Sequence, residues 1–310
     1  MPLPIVYHPI YSNVRLPERH PFPMSKFAML RTHLIETGVA GDNQFSEPAP
    51  AERALLETVH DRDYLDRFIH GDLTQAEIRR QGFPWSEALV ARSITAVGGT
   101  RHTLELAFEH GLATHCAGGT HHAHRDFASG YCLLNDLAVA AAWALDSGRA
   151  KRVLIIDCDV HQGDGTARIF EQQPAVFTLS FHAGSNFPAR KADSDRDVVL
   201  PRGAGDTEYA TALAAHIPAV LDRFQPDCVL YDAGADVHAD DRLGHLSLSD
   251  AGMRARDRYV IEQCVRRRIP VACVIGGGYD RDVPALVRRH ALVHEQASAC
   301  FEQFLSTDAA

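Results

Sequence analysis

No two of the seven cysteines are spaced as C-x-x-C, and their number is odd. That excludes a disulfide framework and reads as the usage of a reducing compartment. Cys158, Cys228 and Cys273 sit in or beside apolar runs, where a free thiol behaves as a small hydrophobe. No apolar run approaches membrane-spanning length. The opening residues, MPLPIVYHPI, have neither the basic start nor the apolar core of a signal peptide. A soluble cytoplasmic protein with no membrane partner is expected. Positive charge is also scarce: 31 Lys and Arg face 40 Asp and Glu, a net −9 that argues against a nucleic-acid surface. The one basic run, Arg266-Arg267-Arg268, follows a helical pattern and suits a helix end. No internal repeat or linker appears, so one domain over residues 1–310 is expected, with disorder only at 306–310.

What is present is organised around residues 152–165, RVLIIDCDVHQGDG. The apolar part reads as a strand buried on both faces, as in a parallel sheet. It then becomes polar at alternate positions: Asp157, Asp159 and His161. On an extended chain these share a face. They would stand at the carboxyl end of a central strand, where open α/β sheets bind ligands. Gly163 and Gly165, flanking Asp164, allow a tight turn. Further strands are expected at 5–7, 112–116, 175–181, 228–231 and 271–275. Helices are expected at 25–37, 87–109, 136–146, 207–224, 250–267 and 283–304, with shorter ones at 52–59, 63–69 and 166–171. Residues 182–206 read as one long loop, and residues 82–85 as a loop carrying two aromatics of exposed type, Phe83 and Trp85. Alternating strands and helices imply an α/β fold with a parallel sheet covered on both faces.

Four loops after expected strands carry the chemistry. GGTHHAHRDFASGYCLLND brings His121, His122 and His124, a set that alone reads as a surface cluster. The second loop holds Asp157, Asp159, His161 and Asp164. YDAGADVHADDRLGH leaves a buried strand and offers Asp232, Asp236, Asp240 and Asp241 as candidates for a third metal ligand. IGGGYD allows close backbone approach and delivers Tyr279. One imidazole and two carboxylates suit Zn²⁺ or Fe²⁺, and three protein ligands leave a position open, as catalytic sites do. Histidine titrates in the range a general base needs, and a Tyr hydroxyl can stabilise an oxyanion. The constellation is one for metal-assisted amide hydrolysis.

GGTHHA, GYCLLND, IIDCDVHQGDGT, TLSFH, DAGADVH and GGGY resemble the metal-dependent histone deacetylase family, in its bacterial deacetylase-like branch. Gln162, where many members have a second His, and HAGSNFPARKADSD resemble the class IV type. The resemblance covers nearly the whole chain. It implies the arginase/deacetylase fold: one α/β domain with a central, mainly parallel, eight-stranded sheet. It implies Asp159, His161 and Asp236 as ligands of Zn²⁺, with Fe²⁺ as the alternative. His121 and His122 would be the tandem histidines, hydrogen-bonded to Asp157 and Asp164, with His122 the base and His121 its electrostatic assistant. Tyr279 would polarise the acyl carbonyl. Gly130 and Tyr131 would wall a substrate tunnel, with Tyr131 where many members have Phe. A structural K⁺ or Na⁺ would sit on Asp157 and main-chain oxygens of Asp159, His161, Ser180 and Phe181, and a second on the Phe170 carbonyl.

The implied activity is removal of an acyl group, most simply acetyl, from lysine or a similar amine. One departure stands out. Members that grip a peptide backbone carry an Asp in a rim loop that here reads GFPWS, residues 82–86, with no carboxylate. The substrate expected is therefore a small acylated amine or a longer acyl chain, an acetylpolyamine or long-chain acyl-lysine, as readily as a histone tail. Outside the deacylases, the competing readings are an arginase-like ureohydrolase with two metals and a non-catalytic acyl-binding protein.

Overall fold

The computed structural model describes residues 2–306; Met1 and residues 307–310 lie outside the described residues, and with them most of the stretch expected to be disordered. Eight strands form one sheet: β1 Ile5–Val6, β2 Phe45–Ser46, β3 Leu112–His115, β4 Val153–Asp157, β5 Val176–Ala183, β6 Arg196–Leu200, β7 Cys228–Asp232 and β8 Val271–Val274. Their order is β2-β1-β3-β8-β7-β4-β5-β6, and every pairing is parallel. Among the described residues the α-helices are α1 Lys26–Glu36, α2 Arg53–Leu56, α3 Arg62–His70, α4 Gln75–Gln81, α5 Glu87–His110, α6 Asp136–Asp146, α7 Asp164–Phe170, α8 Asp206–Phe224, α9 Asp250–Val265 and α10 Val283–Phe304. Parallel neighbours demand crossovers, which most of these helices supply. The central strands are buried on both faces, as their unbroken apolar runs require.

Three elements depart from the expectation. The loop at 182–206 contains β6, an edge strand paired with β5 from Leu179↔Arg196 to Ala183↔Leu200. Its alternating exposure suits an edge, but five residues with a charged start do not announce a strand. β2 has two residues, and α4 seven; both are too short for periodicity to reveal. Phe83 is 1 % exposed and stacks on His20 at 5.3 Å, so the rim loop turns its first aromatic inward.

Register decides where the chemistry falls. Asp157, the last residue of β4, pairs with Asp232 of β7 on one side and Ser180 of β5 on the other; Asp232 in turn pairs with Val274 of β8. These carboxyl ends stand level, so the loops that follow β4, β7 and β8 leave the sheet at one height. β3 lies beside β8 and sends its own loop, residues 117–135, over the same edge.

Candidate active site

The row Asp157, Asp159, His161 does not stay extended. Asp157 Oδ1 accepts the Asp159 N–H at 3.0 Å, and Asp159 Oδ1 accepts the His161 N–H at 2.9 Å. Each carboxylate thus curls the backbone two residues ahead, the habit of Asp in turns. The expected common face is split in two. Asp157 turns to His121, while Asp159 and His161 join Asp236 from the loop after β7.

The Asp159, His161 and Asp236 ligand atoms lie within 4.8 Å of one another, and all three residues are buried. His161 Nδ1 is 2.9 Å from Asp159 Oδ1 and 3.1 Å from Asp236 Oδ2. Backbone N–H groups fix the outer oxygens: Val160 donates to Asp236 Oδ1 at 2.9 Å and Gly277 to Asp159 Oδ2 at 2.8 Å. Gly277 must be glycine, since a Cβ there would fall 2.3 Å from Asp236 Oδ2 and 2.5 Å from Asp159 Oδ2. Burial opposes charge on His161, but the two carboxylates outweigh it and carry the ring up to about 10. Burial and then Asp159 push Asp236 up to about 7. Two carboxylates and an imidazole so enclosed must share protons or a cation. The donor set, one nitrogen and two carboxylates, fits a Zn²⁺ or Fe²⁺ ion.

The other acids of that loop have different work. Asp240 pairs with Arg289 at 2.9 Å. Asp241 accepts three backbone N–H groups, from Leu243, Gly244 and Tyr279, at 2.7–2.9 Å. Asp232 lies in a second buried group with His121 and Asp157, and among the described residues neither of its oxygens has a hydrogen-bond partner. Burial pushes its carboxyl well above the usual range, with the Asp157 charge adding to it.

The loop after β3 is tied down by Asp136, the first residue of α6. Its carboxylate accepts from Gly119 N at 3.1 Å and Thr120 N at 2.7 Å. That anchor turns the next two residues inward. His121 Nδ1 donates to Asp157 Oδ2 at 2.8 Å, and His122 Nδ1 to Asp164 Oδ1 at 2.6 Å. The rings are 2 % and 4 % exposed as residues, with centroids 4.1 Å apart. Their environments differ. Burial works against a charged His121, but Asp157 and Asp159 overcome it and hold the ring well above its ordinary value. Burial, then the charge of His121, brings His122 down to about 4 against the pull of Asp164.

Asp164 carries a second imidazole that sequence reasoning left unassigned. His124 Nε2 donates to its other oxygen at 3.1 Å, and the His124 ring stacks on Phe127 at 4.2 Å. The signal was the third histidine of HHAH, at a spacing that says nothing without the turn. Tyr279 is fixed through its backbone, by Tyr279 N to Asp241 Oδ2 at 2.7 Å and Arg242 N to Tyr279 O at 3.0 Å. Its ring packs beside Tyr131 and Phe22, at 5.7 and 6.2 Å between centroids.

These groups share one channel of about 430 Å³, lined by both histidines, Asp159, His161, Gly130, Tyr131 and Tyr279. Phe22, Phe187, Leu243 and the cations Lys26, Arg79, Arg80 and Arg92 complete it; none of these was singled out from the sequence. Ser180 and Phe181 sit buried beside Asp157 on β5, and Phe170 closes α7. Gln162 holds the loop before β6, donating to Ala192 O at 2.8 Å and Asp197 Oδ1 at 2.7 Å.

A profile of the histone deacetylase domain matches residues 20–294. The chain belongs to the histone deacetylase family. This deacetylase is 49% identical over 297 residues to an uncharacterized protein of Picosynechococcus sp., covering 96% of this chain and 99% of that one. It is 30% identical to histone deacetylase 2 of Arabidopsis thaliana, over 89% of this chain and 74% of that one. It is 28% identical to the acetoin utilization protein AcuC of Staphylococcus aureus, over 78% and 68%. The crystal structure of a histone deacetylase homolog from Aquifex aeolicus superposes with a TM-score of 0.83 at 25% identity, covering 96% of this chain and 84% of that one. The deacetylase is a hydrolase of the arginase/deacetylase fold, with its sheet parallel throughout rather than mainly so. Among its described residues no helix is long and apolar enough to cross a membrane.

Proposed function

We propose that the protein is a zinc-dependent amidohydrolase that cleaves the amide of an N-acyl amine, most simply Nε-acetyl-lysine. The single observation that carries this is convergence. A three-ligand metal cluster, two imidazole–carboxylate pairs of opposite electrostatic bias and a Tyr hydroxyl all open on one channel. Asp159, His161 and Asp236 hold the ion; when bound, it supplies Lewis acidity toward the acyl oxygen and toward water.

His122 is the base. It is neutral near pH 7, and its Nδ1–H is committed to Asp164, which leaves Nε2 free to take a proton from the attacking water. His121, held protonated by Asp157, stabilises the negative charge of the tetrahedral intermediate. Tyr279 donates its hydroxyl to the developing oxyanion. His122 Nε2 then returns the proton to the departing amine. Gly130 and Tyr131 bound the methylene stem of that amine. The same proposal includes a structural K⁺ or Na⁺ at Asp157, Ser180 and Phe181. It also includes a cytoplasmic location, supported by seven buried, unpaired cysteines.

A second reading has one observation in its favour. The buried group His121, Asp157 and Asp232 is a second place for an ion, as a two-metal arginase-like ureohydrolase requires. Metal analysis of purified protein, with a hydrolysis panel of acetyl-lysine peptides, acetylpolyamines, long-chain acyl-lysine and guanidino compounds, separates the two. One transition-metal ion per chain and free amine from an acyl substrate are expected. Two ions and released urea would sink the deacylase reading.

A further inference from the structure

Four cationic side chains line the channel (Lys26, Arg79, Arg80 and Arg92) against one carboxylate, the metal-cluster residue Asp159. The imbalance runs against a chain whose net charge is −9. Lys26 and Arg92 are buried and have internal partners. Lys26 Nζ meets His290 Nε2 at 3.2 Å, and Arg92 Nε donates to Tyr11 O at 2.9 Å with its guanidinium over Phe27. Arg79 and Arg80 differ. Both are exposed, and neither has a carboxylate oxygen within 4.0 Å among the described residues. The arginines of the preceding helix are all paired, Arg62 with Glu57 and Arg67 with Asp63 and Glu77.

One member of the pair is also held in place. The Arg80 guanidinium sits over Phe127, 4.1 Å from the ring centroid, and Phe127 stacks on His124. Two residues later Gly82 rests on the channel wall, where a Cβ would come 2.6 Å from the Tyr131 ring. The segment bearing the arginines is thus seated on the wall itself. Arginine in a last helical turn gains up to about 1 kcal/mol from the dipole, but any outward rotamer collects that gain. The dipole does not account for two unpaired guanidinium groups at one opening. Elsewhere on the rim, Phe187 and Leu243 are exposed and apolar, at 45% and 40%.

We propose that Arg79 and Arg80 form an anion-recognition site at the channel mouth, so that the substrate is an N-acyl amine with a carboxylate or phosphate on its amine side. A planar guanidinium pair grips such a group through bidentate, charge-assisted hydrogen bonds. The inference rests on the amidohydrolase reading and sharpens it. An acyl-lysine with a free α-carboxylate or acidic neighbours fits. An acetylpolyamine, whose remaining amines are cationic, meets repulsion.

The test is kcat/KM of the metal-loaded enzyme on matched substrates: Nα-blocked Nε-acetyl-lysine with a free carboxylate, its neutral amide, acetyl-lysine peptides with acidic or basic flanks, and acetylspermidine. The anionic members are expected to lead, and the α-carboxylate and flanking-acid arms identify which source of charge is read. The anionic-to-cationic ratio is expected to fall about tenfold in Arg79→Gln/Arg80→Gln, mostly through KM, and to invert in Arg79→Glu/Arg80→Glu. The ratio is internal to each protein, so a poorly folded fraction cancels. An unchanged ratio in the double Gln variant, or a wild-type preference for acetylspermidine, overturns the anion site. If the neutral amide is hydrolysed while the ratio stays fixed, only this inference fails; if wild type hydrolyses none of the substrates, the amidohydrolase reading falls with it.

Discussion

Asp164→Asn isolates a charge. Asp164 sits between two imidazoles, taking His122 Nδ1–H at 2.6 Å and His124 Nε2–H at 3.1 Å. An amide of the same shape has one orientation that keeps the bond to the base, with Oδ1 accepting the His122 Nδ1–H. The variant therefore keeps the geometry and the His122 tautomer and loses the negative charge. During water attack His122 becomes an imidazolium. A unit charge about 4 Å away, at an effective dielectric near 20, stabilises that imidazolium by about 4 kcal/mol. With the proton partly transferred, about 2–4 kcal/mol is felt in the transition state, a fall of roughly 30- to 1000-fold in kcat. KM should move little, because Asp164 does not line the channel. The assay is steady-state hydrolysis of a fluorogenic Nε-acetyl-lysine amide, with metal content and melting temperature measured on the same preparation. A kcat within about threefold of wild type, with metal retained, would refute the assignment of His122 as the base.

Four further outcomes are expected. Tyr279→Phe should lower kcat by roughly 100- to 1000-fold with metal content unchanged, since one oxyanion donor is lost while the backbone anchors to Asp241 and Arg242 remain; turnover like wild type would remove the hydroxyl from the mechanism. Gly277→Ala should weaken metal binding in a competition with a chelator, because its Cβ meets both ligand carboxylates; tight stoichiometric binding in that variant would contradict the ligand set. Stripping the ion with a chelator should lower the melting temperature, and Zn²⁺ should restore it, as the Asp159–Asp236 repulsion returns in its absence; a melt indifferent to chelation would count against a metal site. Acid should destabilise the fold by forcing protons on buried neutral histidines, an effect that the early protonation of Asp236 offsets only in part. His60, His115 and His294 are buried and neutral, lowered to about 4, 3 and 3 mainly by burial. The unfolded chain takes their protons below about pH 6.5 and the folded chain does not, so stability falls with pH, by roughly 2 kcal/mol per histidine at about pH 5. Urea titrations that give the same stability at about pH 7 and pH 5 would exclude this.

Much of the site is written locally. The apolar run ending in Asp157, the tandem histidines after two glycines and the GGGY turn each declare a loop after a strand. Their order along the chain led to the family and the fold. Local pattern misled where a side chain rewrites the backbone beneath it. The alternation of Asp157, Asp159 and His161 promised one face, but Asp157 and Asp159 each capture the N–H two residues on and divide the row between two clusters. It was also blind to β2 and α4, which are short, and to the edge strand β6, whose charged start and exposed positions hide it.

By itself, then, the sequence determined the strands other than β2 and β6, most of the helices and the chemical kinds of group present, because these depend on neighbours a few residues apart. Only tertiary structure decided which acid serves which histidine. Asp236 joins Asp159 and His161 and Asp232, Asp240 and Asp241 do not, because the parallel register sets the ends of β4, β7 and β8 level and one turn of loop fixes the rest. The same long-range packing gave Asp164 its second imidazole and seated Arg79 and Arg80 at the channel mouth. No spacing along the chain encodes those contacts, which join residues 40 or more positions apart.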